Sequence, residues 1–492
     1  MEPAMPVRPV ATLAYAVRGP VVLKHFGLLS LSLVGLTGVA LLPALLEGDW
    51  PLAVRLAVVT AVLGLGGWAL SRLRVPAHIQ VNEALVVVVL VFCTGALALV
   101  WPFQAAGLGW LDALFEAVSA ITTTGLSTLA SVQGHPPTFL FLRAWAQWYG
   151  GLVIVVLALA LLLEPGHAAK RLTEVEGAQE DLVGGTRLRA QRVLRVYLVL
   201  TVVGGLALWL AGASPFDALL HALAAVSTGG FSRYDASLAG LGGWPVQAVT
   251  TLICLAGAVS FALYYRAWNE DWRRLPRDRE LRLLLICAGC VALLLAGTMA
   301  WSGAYGWRRI VADAPLLAIS AQTTAGFATL PAGRLDAGSK LVLMAAMFIG
   351  GDMGSTAGGI KILRLLVLLR LAWWLVVRTS LPRHAVVQLR VAGERMPPEV
   401  MLGVGTVVVL YLAVIVGSWL PFLLAGAPPL DALFDVISAL GTVGLSTGVT
   451  GPHLAAGLKL VLCLDMLLGR LEVVAVLVLL YPFTWIGRKD RS

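Results

Sequence analysis

Four times the chain sets threonine, glycine and a small side chain in one order. The copies are Thr123-Thr124-Gly125-Leu126-Ser127, Thr228-Gly229-Gly230-Phe231-Ser232, Thr324-Ala325-Gly326-Phe327-Ala328 and Thr442-Val443-Gly444-Leu445-Ser446. An aspartate stands 13 residues before each central glycine: Asp112, Asp217, Asp313 and Asp431. The chemistry these residues offer is coordination. Carbonyls turned by a glycine, helped by threonine hydroxyls, can replace the water around a cation without a titratable charge. One copy alone reads as a turn or a helix-packing site. Four copies at fixed internal spacing, about 100 residues apart, are an internal repeat. The candidate ion-coordinating positions are Thr122, Thr123, Thr124 and Gly125; Ser227, Thr228, Gly229 and Gly230; Thr323, Thr324, Ala325 and Gly326; and Gly441, Thr442, Val443 and Gly444.

Other chemistries find little support. There is no His-Glu-x-x-His, so an enzyme is not expected. The seven histidines are scattered, and His221 reads as a packed side chain. Cys93, Cys254, Cys287, Cys290 and Cys463 all lie in apolar runs, and the Cys287-x-x-Cys290 pair has no second pair near it. No cofactor is expected within the chain.

What must position the four copies is membrane-embedded helix. The chain is 59% hydrophobic and 13% charged, where soluble domains carry about a quarter charged residues. Ten apolar stretches are candidate spans, running roughly over Phe26–Leu46, Pro51–Leu70, Ala84–Trp101, Phe139–Leu163, Val196–Leu210, Val246–Tyr265, Leu283–Trp301, Leu341–Val377, Val400–Leu423 and Leu460–Trp485. The net charge of +9 follows topology rather than nucleic acid. The N-terminus, the segments around Arg72, 170–195, 266–282 and 361–395, and the C-terminus hold 27 of the 36 Lys and Arg. That side is assigned to the cytoplasm, with both termini inside. The segment Met1 to Lys24 is too polar for a cleaved signal, so the first span is expected to stay as an anchor.

The four phrases fall on the outer side. Each follows an apolar stretch too short to cross, which begins at its aspartate. A re-entrant half-helix fits, with the carboxylate capping its outer end and the negative end of the dipole facing a cation. The expected fold is an all-α integral membrane protein: residues 1–75 form a two-helix extension, and 76–165, 193–267, 282–378 and 398–487 form four pseudo-fourfold repeats of span, half-helix and span.

Two features lie on the inner helices. Aligned on their lysines, Lys340 and Lys459, the third and fourth helices reach Gly350-Gly351 and Gly469-Arg470, with Gly150-Gly151 equivalent in the first. Arg470 thus stands mid-span, where an arginine costs about 2.5–3.5 kcal/mol. It is read as an electrostatic barrier below the ring, against the alternative of an ion pair with Asp465 or Glu472. The segment from Gly350 to Lys361 holds five glycines in its first ten residues, each unfavourable by about 1 kcal/mol in a helix. A break is expected there and in no other inner helix. The alternative is a small-residue packing face, Gly354-x-x-x-Gly358. Gly350, Gly351, Gly354, Ser355, Thr356, Gly358, Gly359, Lys361 and Arg470 are the candidate gate. Asp352 is a candidate partner for Arg470 or Lys361.

On the four phrases, the Gly469-Arg470-Leu471-Glu472 run and the Gly-Ser-Thr-rich segment, the chain resembles the potassium uptake family of bacterial TrkH and KtrB, fungal Trk and plant HKT proteins. The resemblance covers nearly the whole chain, and the two extra N-terminal spans place it nearest TrkH. It implies a selectivity filter centred on Gly125, Gly230, Gly326 and Gly444. Glycine at all four implies potassium rather than sodium. It implies that 350–361 is a gating loop and Arg470 a pore arginine. It further implies a homodimer in the cell inner membrane and a cytosolic TrkA-like ring of nucleotide-binding domains, since no such fold lies in this chain. Two departures touch gating: Asp352, and Gly151-Leu152-Val153 in the first inner helix. The competing reading is a Na⁺- or H⁺-coupled carrier of another small cation or solute, which would favour inverted repeats. Passive and coupled flux stay open.

Overall fold

A computed structural model of the protein describes residues 16–76, 79–157, 182–380, 382, 390–391, 394–395 and 398–486. The end of the fourth expected span, the first 15 residues and the C-terminal Arg488, Lys489 and Arg491 lie outside the described residues. The described chain is helical apart from one two-residue antiparallel pair, Arg390–Val391 with Glu394–Arg395.

Among the described residues, seven helices are long and apolar enough to cross a membrane: Gly19–Leu46, Trp50–Ser71, Val81–Ala106, Pro137–Leu157, Ala190–Leu210, Arg279–Ser302 and Val400–Leu424. An eighth crossing is the bent pair Trp244–Gly257 and Phe261–Asn269, with 87° between its halves. The last two expected spans are each cut in two. One runs Ala337–Ile349 and Ile362–Thr379, the other Ala456–Leu471 and Val473–Leu480.

Among the described residues three inner helices are therefore broken, not one. The extra breaks have tertiary causes. In a continuous helix the Phe261 amide would bond the Gly257 carbonyl. Instead Phe261 N–H donates to Gly354 O at 3.2 Å, and Gly257 O accepts from Thr356 N at 3.2 Å and Thr356 Oγ1 at 2.9 Å. The third inner helix thus supplies the partners that the second gives up. The fourth breaks at Glu472, which has a positive φ of 62° and an ion pair to Arg364 at 2.7 Å.

Four short helices lie between the spans: Trp110–Ile121, Pro215–Val226, Trp307–Gln322 and Pro429–Leu440. Three have 12 residues, about 18 Å of helix against the 30 Å of a bilayer core. Asp112, Asp217 and Asp431 sit in their first turns, as expected, but Asp313 is mid-helix in the 16-residue third. The aspartates are not the caps. The second helix is capped by Ser214, whose Oγ accepts from Asp217 N at 3.2 Å. The carboxylates instead hold cations. Asp112 pairs with Lys459 and Asp431 with Lys340, each at 2.6 Å; Asp217 pairs with Arg233 and Asp313 with Arg309, each at 3.4 Å. Lys340 and Lys459 are buried on inner helices, and a buried ammonium needs a nearby anion. These two pairs tie the third inner helix to the fourth short helix and the fourth to the first.

Candidate functional site

Each short helix ends in the same way. The threonine two residues before the central glycine has a positive φ: 55° at Thr123, 50° at Thr228, 54° at Thr324 and 50° at Thr442. For a β-branched residue this costs about 1–3 kcal/mol. The capping bonds explain why it is held. Thr123 N donates to Ala120 O at 3.0 Å and Thr124 N to Ser119 O at 2.9 Å, closing the helix C-terminus with both Schellman bonds. The other three copies repeat them: Thr228 to Ala225 and Gly229 to Ala224, Thr324 to Ala321 and Ala325 to Ser320, Thr442 to Ala439 and Val443 to Ser438, all at 2.8–3.1 Å.

The chain then passes through a second positive φ at Gly125, Gly230, Gly326 and Gly444, between 71° and 96°. Space demands glycine here as strongly as torsion does. A Cβ on Gly125 would overlap Gly229 O, one on Gly230 would overlap Ala325 O, one on Gly326 would overlap Val443 O, and one on Gly444 would overlap Thr124 O. Each glycine abuts the carbonyl that precedes the next strand's glycine, and the fourth returns to the first. The contacts form a closed cycle of four strands from one chain.

Of the sixteen expected coordinating residues, the four central glycines alone keep solvent exposure. The hydroxyls of Thr123 and Thr442 are buried with no partner. Thr228 Oγ1 donates to Ser227 O at 2.8 Å, and Thr324 Oγ1 accepts from Gly358 N at 2.7 Å.

The tails of the strands are clamped by residues one helical turn after the aspartates, which the sequence reading passed over. Glu116 accepts from Ser127 Oγ and Thr128 N and pairs with Arg143 at 3.0 Å. Asp435 accepts from Ser446 Oγ, Thr447 N and Thr450 N, each at 2.8 Å. His221, expected only to pack, is bonded through Nε2 to Ser232 Oγ at 3.0 Å and through Nδ1 to Asp217 O at 2.8 Å. The third strand has Leu317 and Ala328 at these places. Its Ala328 is held instead by the 237–238 turn, through Ser237 Oγ at 3.1 Å and Leu238 N at 3.0 Å. The signal was present: a polar residue at this helix position accompanies serine after the glycine, and leucine accompanies alanine.

Below the ring lies the segment 350–361, non-helical throughout, which removes the packing-face alternative. Gly350, Gly354, Gly359 and Lys361 have φ of 70–80°. A Cβ on Gly358 would overlap Gly441 O and Thr442 Oγ1, so the loop touches the start of the fourth strand. Gly351 lies against Ala357 and Ala258 O. Thr356 Oγ1 bonds Val226 O at 3.0 Å as well as Gly257 O. Ser355 Oγ donates to Asp352 O at 2.6 Å. Two cations hold consecutive carbonyls of the loop: Arg470 Nη1 bonds Thr356 O at 2.7 Å, and Lys361 Nζ bonds Ala357 O.

The expected ion pair of Arg470 is not formed among the described residues. Glu472 turns to Arg364, and Asp465 accepts from Ser418 Oγ at 2.5 Å. Nε and Nη2 of Arg470 are buried and unpaired. Asp352 is buried and makes no ion pair with Arg470 or Lys361 among the described residues. The aligned glycines do share a role. A Cβ on Gly150, Gly257 or Gly469 would strike the last carbonyl of the preceding short helix, at Ile121, Val226 or Leu440. Gly257 was missed in the alignment. In the third repeat Gln322 Nε2 reaches Gly350 O at 2.7 Å instead.

The chain resembles known proteins over most of its length. Residues 55–483 match the family model described as TrkH, cation transport protein. The Trk system potassium uptake protein TrkH of Vibrio parahaemolyticus is 32% identical over 392 residues, 76% of this chain and 79% of that protein. The Trk system potassium uptake protein TrkI of Halomonas elongata is 30% identical over 484 residues, covering 94% of this chain and 96% of that one. The crystal structure of the potassium transporter TrkH from Vibrio parahaemolyticus superposes with a TM-score of 0.84 at 28% identity, covering 95% of this chain and all of that chain.

Proposed function

The chain belongs to the TrkH family of cation transport proteins, and from that premise we propose that it takes up potassium through a pore closed by its own four strands. The observation that carries the reading is the closed cycle of glycine and carbonyl contacts around residues that alone stay open to solvent. In this reading the carbonyls of residues 122–125, 227–230, 323–326 and 441–444 replace the hydration shell of K⁺, and residues 76–165, 193–267, 282–378 and 398–487 are four units around one axis. Loop 350–361 and Arg470 form the gate beneath. Potassium is the cargo, and the role is transport rather than catalysis.

The site of action is the cell inner membrane with both termini inside. The relatives' Trk system name supports a multi-component assembly, and the basic inner segments are the docking face for a cytosolic nucleotide-binding ring. A homodimer in the membrane is part of the same reading. A coupled carrier is the second reading, favoured by the three broken inner helices. The test is flux in proteoliposomes. K⁺ and Rb⁺ entry well above Na⁺ and Li⁺, driven by the K⁺ gradient alone, supports the pore. Equal K⁺ and Na⁺ entry sinks potassium selection, and uptake that needs an imposed Na⁺ or H⁺ gradient assigns a carrier.

A further inference from the structure

The first inner helix carries a buried amide and a buried guanidinium at positions where its three counterparts carry neither. Counted back three residues from the aligned glycines Gly150, Gly257, Gly350 and Gly469, the positions hold Gln147, Cys254, Met347 and Met466. Counted back seven, they hold Arg143, Thr250, Leu343 and Leu462. Gln147 is fully buried, and its amide brackets the second central glycine. Nε2 donates to Gly229 O at 2.5 Å, and Oε1 accepts from Phe231 N at 3.1 Å. Arg143, one turn earlier, lies 3.7 Å from the centre of the Phe231 ring while paired with Glu116.

Gly229 itself is unusual. Its counterparts before the central glycine are Thr124, Ala325 and Val443. Unlike Gly230 it has no positive φ, so torsion does not demand glycine. Space does: a Cβ there would meet Gln147 Cδ and Oε1 at 2.5 Å. The amide occupies the place of the missing side chain. A Gly-Gly pair is the least constrained backbone available, and only the second strand has one. Among the described residues, Gly229 O is also the one carbonyl of its ring of four that accepts a side-chain hydrogen bond. The other three strands adopt the same torsions without such an amide, so the strand's shape does not require it.

We propose that Gln147 is a positioning residue for ion selection: through Gly229 O and Phe231 N it fixes where the second strand's carbonyls stand, a task that side chains at 124, 325 and 443 perform in the other strands. The proposal rests on the potassium-pore reading and goes beyond it. It names which quarter of the ring depends on a residue outside the repeated phrase. It also accounts for two adjacent glycines where the other strands have one.

The experiment measures K⁺ and Na⁺ flux per monodisperse molecule in proteoliposomes for the unmodified chain, Gln147→Met, Gly229→Ala and the double variant Gln147→Ala/Gly229→Ala. Methionine is the residue the chain itself uses at 347 and 466, so the helix has precedent for it. The K⁺ to Na⁺ ratio of Gln147→Met should fall about tenfold, the scale of one buried hydrogen bond. Gly229→Ala alone meets the amide and should also lose selectivity. The double variant places a methyl in the vacated space, as Ala325 does in strand three, and should return to within about threefold of the unmodified ratio. An unmodified chain that does not prefer K⁺ overturns the pore reading and this proposal with it. A selective unmodified chain with an equally selective Gln147→Met overturns this proposal alone. If Gln147→Met gives no monodisperse protein, the double variant decides: restored selectivity supports the proposal, and lost selectivity or no folded protein assigns Gln147 to the scaffold and refutes it.

Discussion

Arg470 Nη1 donates to the carbonyl oxygen of Thr356 at 2.7 Å, a bond between the fourth inner helix and the loop of the third. No carboxylate among the described residues shares the charge. The guanidinium therefore serves as a latch for the loop as well as a positive charge beneath the ring. Two unit charges 4 Å apart repel by about 4 kcal/mol at an effective dielectric of 20, roughly a thousandfold in passage rate. Arg470→Ala should raise K⁺ flux per folded molecule by at least about tenfold, allowing for partial screening. The K⁺ to Na⁺ ratio should stay nearly unchanged, because the proposed reading assigns it to the carbonyls of the ring. Equal or lower normalised flux counts against the barrier.

Gly358 packs its Cα against Gly441 O and Thr442 Oγ1, where no β-carbon fits. Gly358→Ala must push the loop off the fourth strand or distort it. The expected outcome is altered open probability with selectivity preserved, read from single-channel or flux records. Gly354 has a φ of 77°, so Gly354→Ala should strain the backbone by about 1–2 kcal/mol. Unchanged gating in Gly358→Ala would show that the loop does not rest on the fourth strand.

Gly125→Ser puts a side chain against Gly229 O at a φ of 89°. The ring must open on that side. Na⁺ permeability relative to K⁺ should rise by about tenfold or more, since a widened cage loses its match to one ion. Competition of Na⁺ with ⁸⁶Rb⁺ uptake measures this directly, and an unshifted Na⁺ inhibition curve would show that the strand tolerates the substitution.

Asp435 accepts four bonds from the tail of the fourth strand, from Ser446 Oγ, Thr447 N, Thr447 Oγ1 and Thr450 N. Asp435→Leu with Ser446→Ala reproduces the pair found at 317 and 328, but without the 237–238 turn that holds strand three. It should cost about 2–4 kcal/mol in thermal or denaturant stability, two or three buried hydrogen bonds to a charged group less the solvation regained. Leu317→Asp alone, which supplies an acceptor with no serine opposite, should be destabilising rather than neutral. Unfolding followed by scanning fluorimetry decides both.

Lys459 and Asp112 join the last inner helix to the first short helix at 2.6 Å. Lys459→Met should lower stability by about 1–3 kcal/mol, less than for a fully buried pair because Asp112 is 35% exposed and open to solvent. Asp112→Asn should cost more than Lys459→Met, since it leaves a buried ammonium with neutral acceptors alone, whereas Lys459→Met leaves a carboxylate open to solvent. The reverse order would mean that the lysine does more than neutralise the carboxylate.

The fourfold phrase, its spacing and the short helices before it were legible because repetition marks residues that must all meet one geometry. The long apolar spans were legible for the usual reason of length and composition. The breaks at 258–260 and at Glu472 were not. They come from bonds exchanged between helices, as Phe261 and Thr356 exchange partners with Gly257 and Gly354. No local propensity announces such a trade. The aspartates were placed correctly in three helices but given the wrong task, because a cap is a local idea and Lys340 and Lys459 come from other repeats. Arg470 was recognised as a mid-span charge, yet its partner proved to be a carbonyl, which leaves no mark in a sequence.

Because the four strands close on one another within a single polypeptide, a base change in the gene alters one quarter of the ring and leaves three untouched. A channel built from four identical chains has no such choice, since every substitution appears four times at once. Divergence here can proceed in smaller increments. Strand two has a second glycine with a glutamine behind it, and strand three has a leucine where the others have a polar clamp. Such drift among the quarters is what a pore encoded by one open reading frame permits. It also means that two alleles in the same cell make two kinds of whole pore, never a mixed one.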